Sequence, residues 1–228
     1  MPLSALIYDF DYTLADSSAG IVECVRHAFT CLRLPAPEAE AICRTIGRSL
    51  PDTFRALSDG AVPSASVPEL EAEFLRLFIA RADEIMVERT VLLPGARETL
   101  ETLRLRGLRQ AIVTTKFRRR IEAVLAREGC RETIDVIVGG DDVAEPKPAP
   151  EGLRLALRLL AVDAAACYYV GDSLVDAAAA SAAGVPFIAV ATGPTPAEDL
   201  LRWRPALLLH HVRDLERQLE TWRLSAEV

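Results

Sequence analysis

Residues 3–9 are a short apolar run, Leu-Ser-Ala-Leu-Ile-Tyr, that stops at Asp9. A run this short predicts a buried strand that ends in an acidic loop. The spacing then becomes helical. Residues 17–34 predict a helix capped by Ser17 or Ser18. Pro35 and Pro37 break it, and Glu38 to Ile46 predict a second. Gly47-Arg48-Ser49 reads as a loop leading to an apolar segment around Phe54, and residues 58–68, rich in Ser, Gly and Pro, read as another loop. From Glu69 to Glu88 the residues Leu70, Phe74, Leu77, Phe78 and Ile85 fall on or near one face, the pattern of a long amphipathic helix.

From residue 94 the pattern alternates. Strands are predicted at 108–114, 133–138, 167–170, 187–191 and 206–209. Helices are predicted at 94–107, 118–128, 150–161, 174–183, 197–203 and 212–222. Strands alternating with helices of this length imply an α/β fold, a doubly wound parallel sheet covered on both faces. The chain thus reads as a core of residues 1–15 and 91–228, with a helical segment, 16–90, inserted after the first strand as a candidate lid.

Composition changes the picture in three places. Basic residues number 26 and acidic ones 33, a net charge of −7, which argues against binding nucleic acid through a general basic surface. Five widely spaced cysteines, with no C-x-x-C pair, indicate reduced thiols rather than a disulfide framework or a zinc site. The alanine-rich stretch 177–191 is broken by Gly184 and Pro186 and is too short to span a bilayer. Asp9 and Asp11 in the first apolar segment do not fit a signal peptide. A cytoplasmic protein with no nucleic-acid or membrane partner is expected. Lys116 and Lys147 are the only lysines, so a lysine here stands out as chemically required.

Four polar clusters follow predicted strands: Asp9-Phe10-Asp11-Tyr12-Thr13, Thr114-Thr115, Lys147-Pro148, and Gly171-Asp172-Ser173 with Asp176. Parallel strands place their carboxyl ends on one edge, where ligand sites form. Each cluster alone is an ordinary turn, strand end, surface loop or helix cap; four at one edge are not. Asp9, Asp11, Asp172 and Asp176 repel one another unless a cation separates them. A hard divalent ion, Mg²⁺, suits carboxylates, carbonyls and water. Lys147 adds positive charge and Thr114 a hydroxyl donor, so the set can accept a phosphate while a carboxylate attacks phosphorus.

These residues in this order resemble the haloacid dehalogenase-like hydrolase superfamily, in the subgroup of phosphoglycolate phosphatase and β-phosphoglucomutase. The motifs are Asp9-Phe10-Asp11-Tyr12-Thr13-Leu14, Ile112-Val113-Thr114-Thr115-Lys116, Lys147-Pro148-Ala149-Pro150 and Gly171-Asp172-Ser173-Leu174-Val175-Asp176. The resemblance covers nearly the whole chain, and the insert looks like the family's small α-helical cap. It implies that Asp9 is the nucleophile and that Asp11 protonates the leaving alcohol and then activates water. It implies that Thr114 and Lys147 hold phosphoryl oxygens, with Thr115 beside them. It implies that Mg²⁺ is bound by Asp9, the backbone carbonyl of Asp11 and Asp172. Asp176, Thr13 and Ser173 would support this set from behind, Asp176 by orienting Lys147 or a metal-bound water. Tyr12 stands where the family usually has glycine, at a turn that needs a permissive φ. Thr115 stands where Asn or Ser is common.

Asp11 argues against haloacid dehalogenation, and the absence of lysine in 16–93 argues against phosphonate cleavage through a Schiff base. Receiver domains lack the insert. The reading is a Mg²⁺-dependent phosphatase acting on a small phosphate ester, phosphoglycolate or a similar metabolite, through an aspartyl-phosphate. The alternatives are a β-phosphoglucomutase-like phosphomutase and a non-catalytic scaffold on the same fold. Arg48, in the loop Thr45–Ser49, is a candidate contact for a substrate carboxylate or second phosphate, or else a solvated arginine. Most of Arg118-Arg119-Arg120 is expected on a solvated face, and Trp203 and Trp222 in packing. His27, His210 and His211 receive no catalytic role. A monomer or homodimer is expected.

Overall fold

A computed structural model describes residues 3–218. Within that range the chain forms two compact units, one of residues 3–15 and 92–218, the other of residues 16–91. Strand β1 (Ala5–Tyr8) opens the chain, and β2 (Ala15–Asp16) follows a tight turn. The helical unit then supplies α1 (Ser18–Cys31), α2 (Ala39–Cys43), α3 (Leu50–Ser58) and α4 (Val67–Ile85). Strand β3 (Val91–Leu92) pairs with β2 in a separate two-stranded sheet that the sequence pattern does not announce.

The rest of the larger unit alternates: α5 (Ala96–Leu105), β4 (Arg109–Val113), α6 (Arg118–Arg127), β5 (Val136–Val138), α7 (Glu151–Leu160), β6 (Cys167–Gly171), α8 (Leu174–Ala183), β7 (Phe187–Val190), α9 (Ala197–Leu201) and β8 (Leu207–Leu209). Six strands form one parallel sheet in the order β5-β4-β1-β6-β7-β8. The chain builds outward from β1 to β5, then returns to the other side of β1 for β6 to β8. Strand β1 therefore lies at the reversal point, where open α/β sheets bind ligands. Tyr8 is level with Ile112 of β4 and Val170 of β6. The residues just past these three strands consequently emerge side by side.

All four residues of β1 are buried, as a central parallel strand requires. One face of the sheet packs Ile7, Val113 and Tyr169 against Leu153, Ala156 and Ala180. On the other, Tyr8 donates its hydroxyl to Gln110 Oε1 at 2.9 Å. The Gln110 amide donates in turn to the carbonyls of Leu100 and Thr133. These buried polar groups thus satisfy one another.

The helical unit is centred on Phe29, Phe54, Phe74 and Phe78, whose successive ring centroids lie 5.1–5.9 Å apart. The apolar segment around Phe54, to which the sequence reading assigns no element, is helix α3. Ser49 accepts the Asp52 amide at 3.2 Å, and proline occupies the first turn. Both are helix-start signals in the sequence. Helix α1 ends at Cys31, earlier than expected, with Arg33 at φ +58°. Ser17 makes no side-chain cap; Asp16 Oδ1 accepts the Ser18 amide at 2.8 Å instead. The strand expected from residue 133 begins at Val136, because Arg131–Thr133 forms a 3-10 turn.

Trp203 is 43% exposed rather than packed, since it follows the short helix α9 on the surface. Trp222 and the end of the helix expected over 212–222 lie outside the described residues. None of the five cysteines forms a disulfide. Among the described residues no helix is long and apolar enough to cross a membrane.

Candidate active site

At the end of β1 the Asp9 amide donates to the Val170 carbonyl at 2.8 Å, which extends the ladder by one residue. The chain then folds back, and the Phe10 carbonyl accepts the amides of Leu14 and Ala15, each at 2.9 Å. This turn puts Tyr12 at φ +58°. A non-glycine residue there costs about 1 kcal/mol. The Tyr12 carbonyl accepts the Thr192 hydroxyl, which ties the turn to the segment after β7. Thr13 donates its hydroxyl to Asp172 Oδ1 at 3.2 Å.

Helix α8 begins at a capping box. Ser173 Oγ accepts the Asp176 amide at 3.2 Å, and Asp176 Oδ2 accepts the Ser173 amide at 3.1 Å and its hydroxyl at 2.5 Å. The carboxylate of Asp176 thereby folds back over the end of β6. A Cβ at Gly171 would meet the Asp176 side chain at 2.6 Å, and one at Gly193 would meet Asp172 Oδ2 at 1.8 Å. Glycine at both places is what lets the carboxylates lie against the backbone.

Lys147 joins these parts. Its Nζ lies 2.7 Å from Asp9 Oδ1, 2.6 Å from Asp176 Oδ1 and 3.0 Å from the Tyr169 hydroxyl. Tyr169 also lies 2.8 Å from Asp176 Oδ1 and 3.1 Å from the Val113 carbonyl. Both oxygens of Asp176 are therefore engaged by the protein. Thr114 follows β4. Its amide donates to the Val138 carbonyl at 3.1 Å, and its Oγ1 accepts the Lys116 amide at 3.3 Å. Lys116 Nζ lies 3.2 Å from Asp11 Oδ2.

Asp9, Asp172 and Asp176 are buried with carboxylate oxygens within 4.8 Å of one another. Burial pushes Asp9 up to about 7; Asp176 adds to the rise and Lys147 opposes it. Burial also holds Asp172 well above the ordinary carboxylate range, reinforced by Asp176 and Asp9. Burial disfavours charge on Lys147 too, but Asp176 and Asp9 outweigh it and keep the ammonium protonated. Three carboxylates thus crowd around one ammonium that pairs with only two of them, Asp9 and Asp176, and Asp9 Oδ1 meets it without a well-aligned hydrogen bond. A hard divalent cation fits this donor set, because it would relieve the repulsion with the oxygen ligands it prefers.

The structure brings Asp9, Asp11, Thr13, Thr114, Lys147, Asp172, Ser173 and Asp176 to the carboxyl edge of β1, β4 and β6. Thr115 is half-buried in the turn after β4, where its carbonyl packs closely against Gly140. Arg48 belongs to the helical unit, where it is exposed in the turn before α3.

The solvated-face expectation for residues 118–120 is corrected, and only Arg119 is exposed. Arg118 pairs with Asp142 at 2.8 Å. Arg120 is buried, with its guanidinium 4.9 Å from the Phe117 ring centroid. Both lie in the first turn of α6, where Asp142 and the Phe117 ring take up their guanidinium groups.

Sequence reasoning missed two contributors. Lys116 was marked by the scarcity of lysine and by its place at the end of the second motif, but was given no role. Tyr169 had no signal beyond its strand.

The profile of the haloacid dehalogenase-like hydrolases matches residues 6–190. A phosphoglycolate phosphatase of Cupriavidus necator is 36% identical over 195 residues, covering 85% of this chain and 83% of that protein. One from Pseudomonas fluorescens is 30% identical over 210 residues, covering 92% and 77%. Among solved structures, a haloacid dehalogenase-like protein from Bacteroides fragilis superposes with a TM-score of 0.87 at 37% identity, covering 93% of this chain and 99% of that one. The chain belongs to the haloacid dehalogenase-like hydrolases, in their phosphoglycolate phosphatase-like branch.

Proposed function

We propose that the chain is a Mg²⁺-dependent phosphatase that hydrolyses a small phosphorylated metabolite of the cytoplasm, phosphoglycolate or a close analogue. The observation that carries this is the buried cluster at the switch point: Lys147 between Asp9 and Asp176, with Asp11 two residues from Asp9. The names of the relatives favour phosphoglycolate.

Asp9 attacks phosphorus, and the bond to the leaving oxygen breaks as Asp11 gives that oxygen a proton. The product alcohol departs and leaves an aspartyl-phosphate on Asp9. Asp11, now ionised, takes a proton from water. The resulting hydroxide attacks phosphorus, releasing phosphate and restoring both carboxyl groups. Lys147 and Thr114 hold phosphoryl oxygens. Asp176, Ser173 and Tyr169 hold Lys147 in place, and Thr13 holds Asp172. Mg²⁺ bound by Asp9, Asp172 and the Asp11 carbonyl would offset charge on the transferring group.

Residues 16–90 act as a lid that admits substrate and limits water during the first transfer, with Arg48 as its candidate substrate contact.

Phosphate release from a panel of esters, with Mg²⁺ or with EDTA, tests the reading. The panel holds phosphoglycolate, pyrophosphate, nucleotides, sugar phosphates and β-glucose 1-phosphate. Release that needs the metal and favours phosphoglycolate is expected. Conversion of β-glucose 1-phosphate to glucose 6-phosphate without release would make the protein a mutase. Silence throughout would return it to the scaffold reading.

A further inference from the structure

The two lysines stand on opposite sides of the proposed reaction. Lys147 touches Asp9, on the side of the phosphoryl group. Lys116 touches Asp11, with 6% of the lysine side chain and 9% of the aspartate exposed. We propose that Lys116 determines specificity by recognising an anionic leaving group, a carboxylate attached to the same carbon that bears the ester oxygen. This rests on the phosphatase reading given above.

The argument is one of reach. An acid that protonates the leaving oxygen comes within about 3 Å of it. Whatever stands beside that acid stands beside the first atoms of the leaving group. In a phosphorylated 2-hydroxy acid the carboxylate begins one carbon beyond the ester carbon, so its oxygens enter the same neighbourhood. A largely buried ammonium there supplies charge and directed N–H donors, where an uncharged tail meets only the donors.

The position is fixed through the backbone. The Lys116 amide donates to Thr114 Oγ1 at 3.3 Å, and its carbonyl accepts the Gly140 amide at 3.0 Å. A Cβ at Gly139 would lie 2.9 Å from that carbonyl. Lys116 thus rises from a packed turn at the end of β4, and the chain keeps lysine here although it uses arginine almost everywhere else.

A simpler role, holding Asp11 in place, would affect every ester alike. The two are separated by kcat/KM with Mg²⁺ for phosphoglycolate and for 2-hydroxyethyl phosphate, whose tail has the same length and no charge. Wild type should prefer phosphoglycolate. Lys116→Met should lower that preference roughly 10- to 100-fold, mainly through KM, the loss of one hydrogen bond to a charged group. Lys116→Arg should recover much of it. Lys116→Gln, which keeps a donor without the charge, should behave as Lys116→Met and covers the case in which methionine impairs folding. Equal losses on both esters, or a wild type with no preference for the carboxylate, would overturn the proposal. A wild type that releases phosphate from no ester overturns the phosphatase reading instead, so the two failures are distinct.

Discussion

In the larger unit Asp9, Asp11, Lys116, Lys147, Asp172 and Asp176 are all buried at one edge of the sheet. In the helical unit none of the described charged residues is buried, and pairs such as Arg44–Glu40 and Arg76–Glu73 lie on the surface. The helical unit instead buries four phenylalanines. The difference is physical. A buried ion costs several kcal/mol unless it is compensated, whereas an exposed pair costs and contributes little. A cluster of buried carboxylates with too few partners is therefore a poor way to stabilise a fold and a good way to bind cation and phosphate. The helical unit is held chiefly by apolar packing around those rings, with its ion pairs nearer the surface.

The sharpest way to break this comparison is to cut each unit at its centre. Lys147→Met should abolish phosphate release and lower unfolding free energy by about 3–5 kcal/mol, because it strands buried carboxylates. Phe74→Ala, in the helical unit, should cost a similar 3–5 kcal/mol through its cavity. Below its melting point it should keep kcat within about tenfold of wild type, since it removes no charge from the site. Denaturant melts beside turnover assays check both. If Phe74→Ala silenced the enzyme as fully as Lys147→Met, the division of labour would fail.

Next in size is the effect of pH on the metal-free protein. Asp9 is raised to about 7 by burial, so its protonated form favours the folded state. That contribution is complete below the unfolded carboxylate value and disappears as pH rises through about 7. Tm in EDTA should therefore fall between about pH 5 and about pH 7.5. Added Mg²⁺ should raise Tm more at the higher pH, and Asp172→Asn should blunt that rise. A Tm that climbs with pH in EDTA would contradict the cluster's electrostatics.

The smallest effect sharpens the picture of Lys147. Tyr169→Phe removes a hydroxyl that touches Lys147 and Asp176 and should lower kcat about tenfold, with KM changed less. An unchanged kcat would show that the carboxylates position the lysine unaided.

How much of this was legible in the sequence depended on the range of the forces involved. The run before Asp9 and the strand–helix alternation after residue 94 are local patterns, and the parallel sheet and the convergence of four motifs followed from them. Helix α3 was also written locally, in Ser49, Pro51 and Asp52, but those start signals were passed over and its apolar segment was given no element. The Lys116–Asp11 and Tyr169–Lys147 contacts were not legible. They join residues far apart in the chain, and which side chain meets which is decided by strand order and register. The burial of Arg120 and the exposure of Trp203 failed for the same reason, since residue type gives a tendency and tertiary placement decides.

The most direct test of the central claim is phosphate release from phosphoglycolate by Asp9→Asn beside wild type, with Mg²⁺ and with circular dichroism as a check on folding. The account expects an intact fold and a loss of roughly a thousandfold or more. A folded variant that still turns over at a substantial fraction of the wild-type rate would contradict it and remove Asp9 from the nucleophile's role.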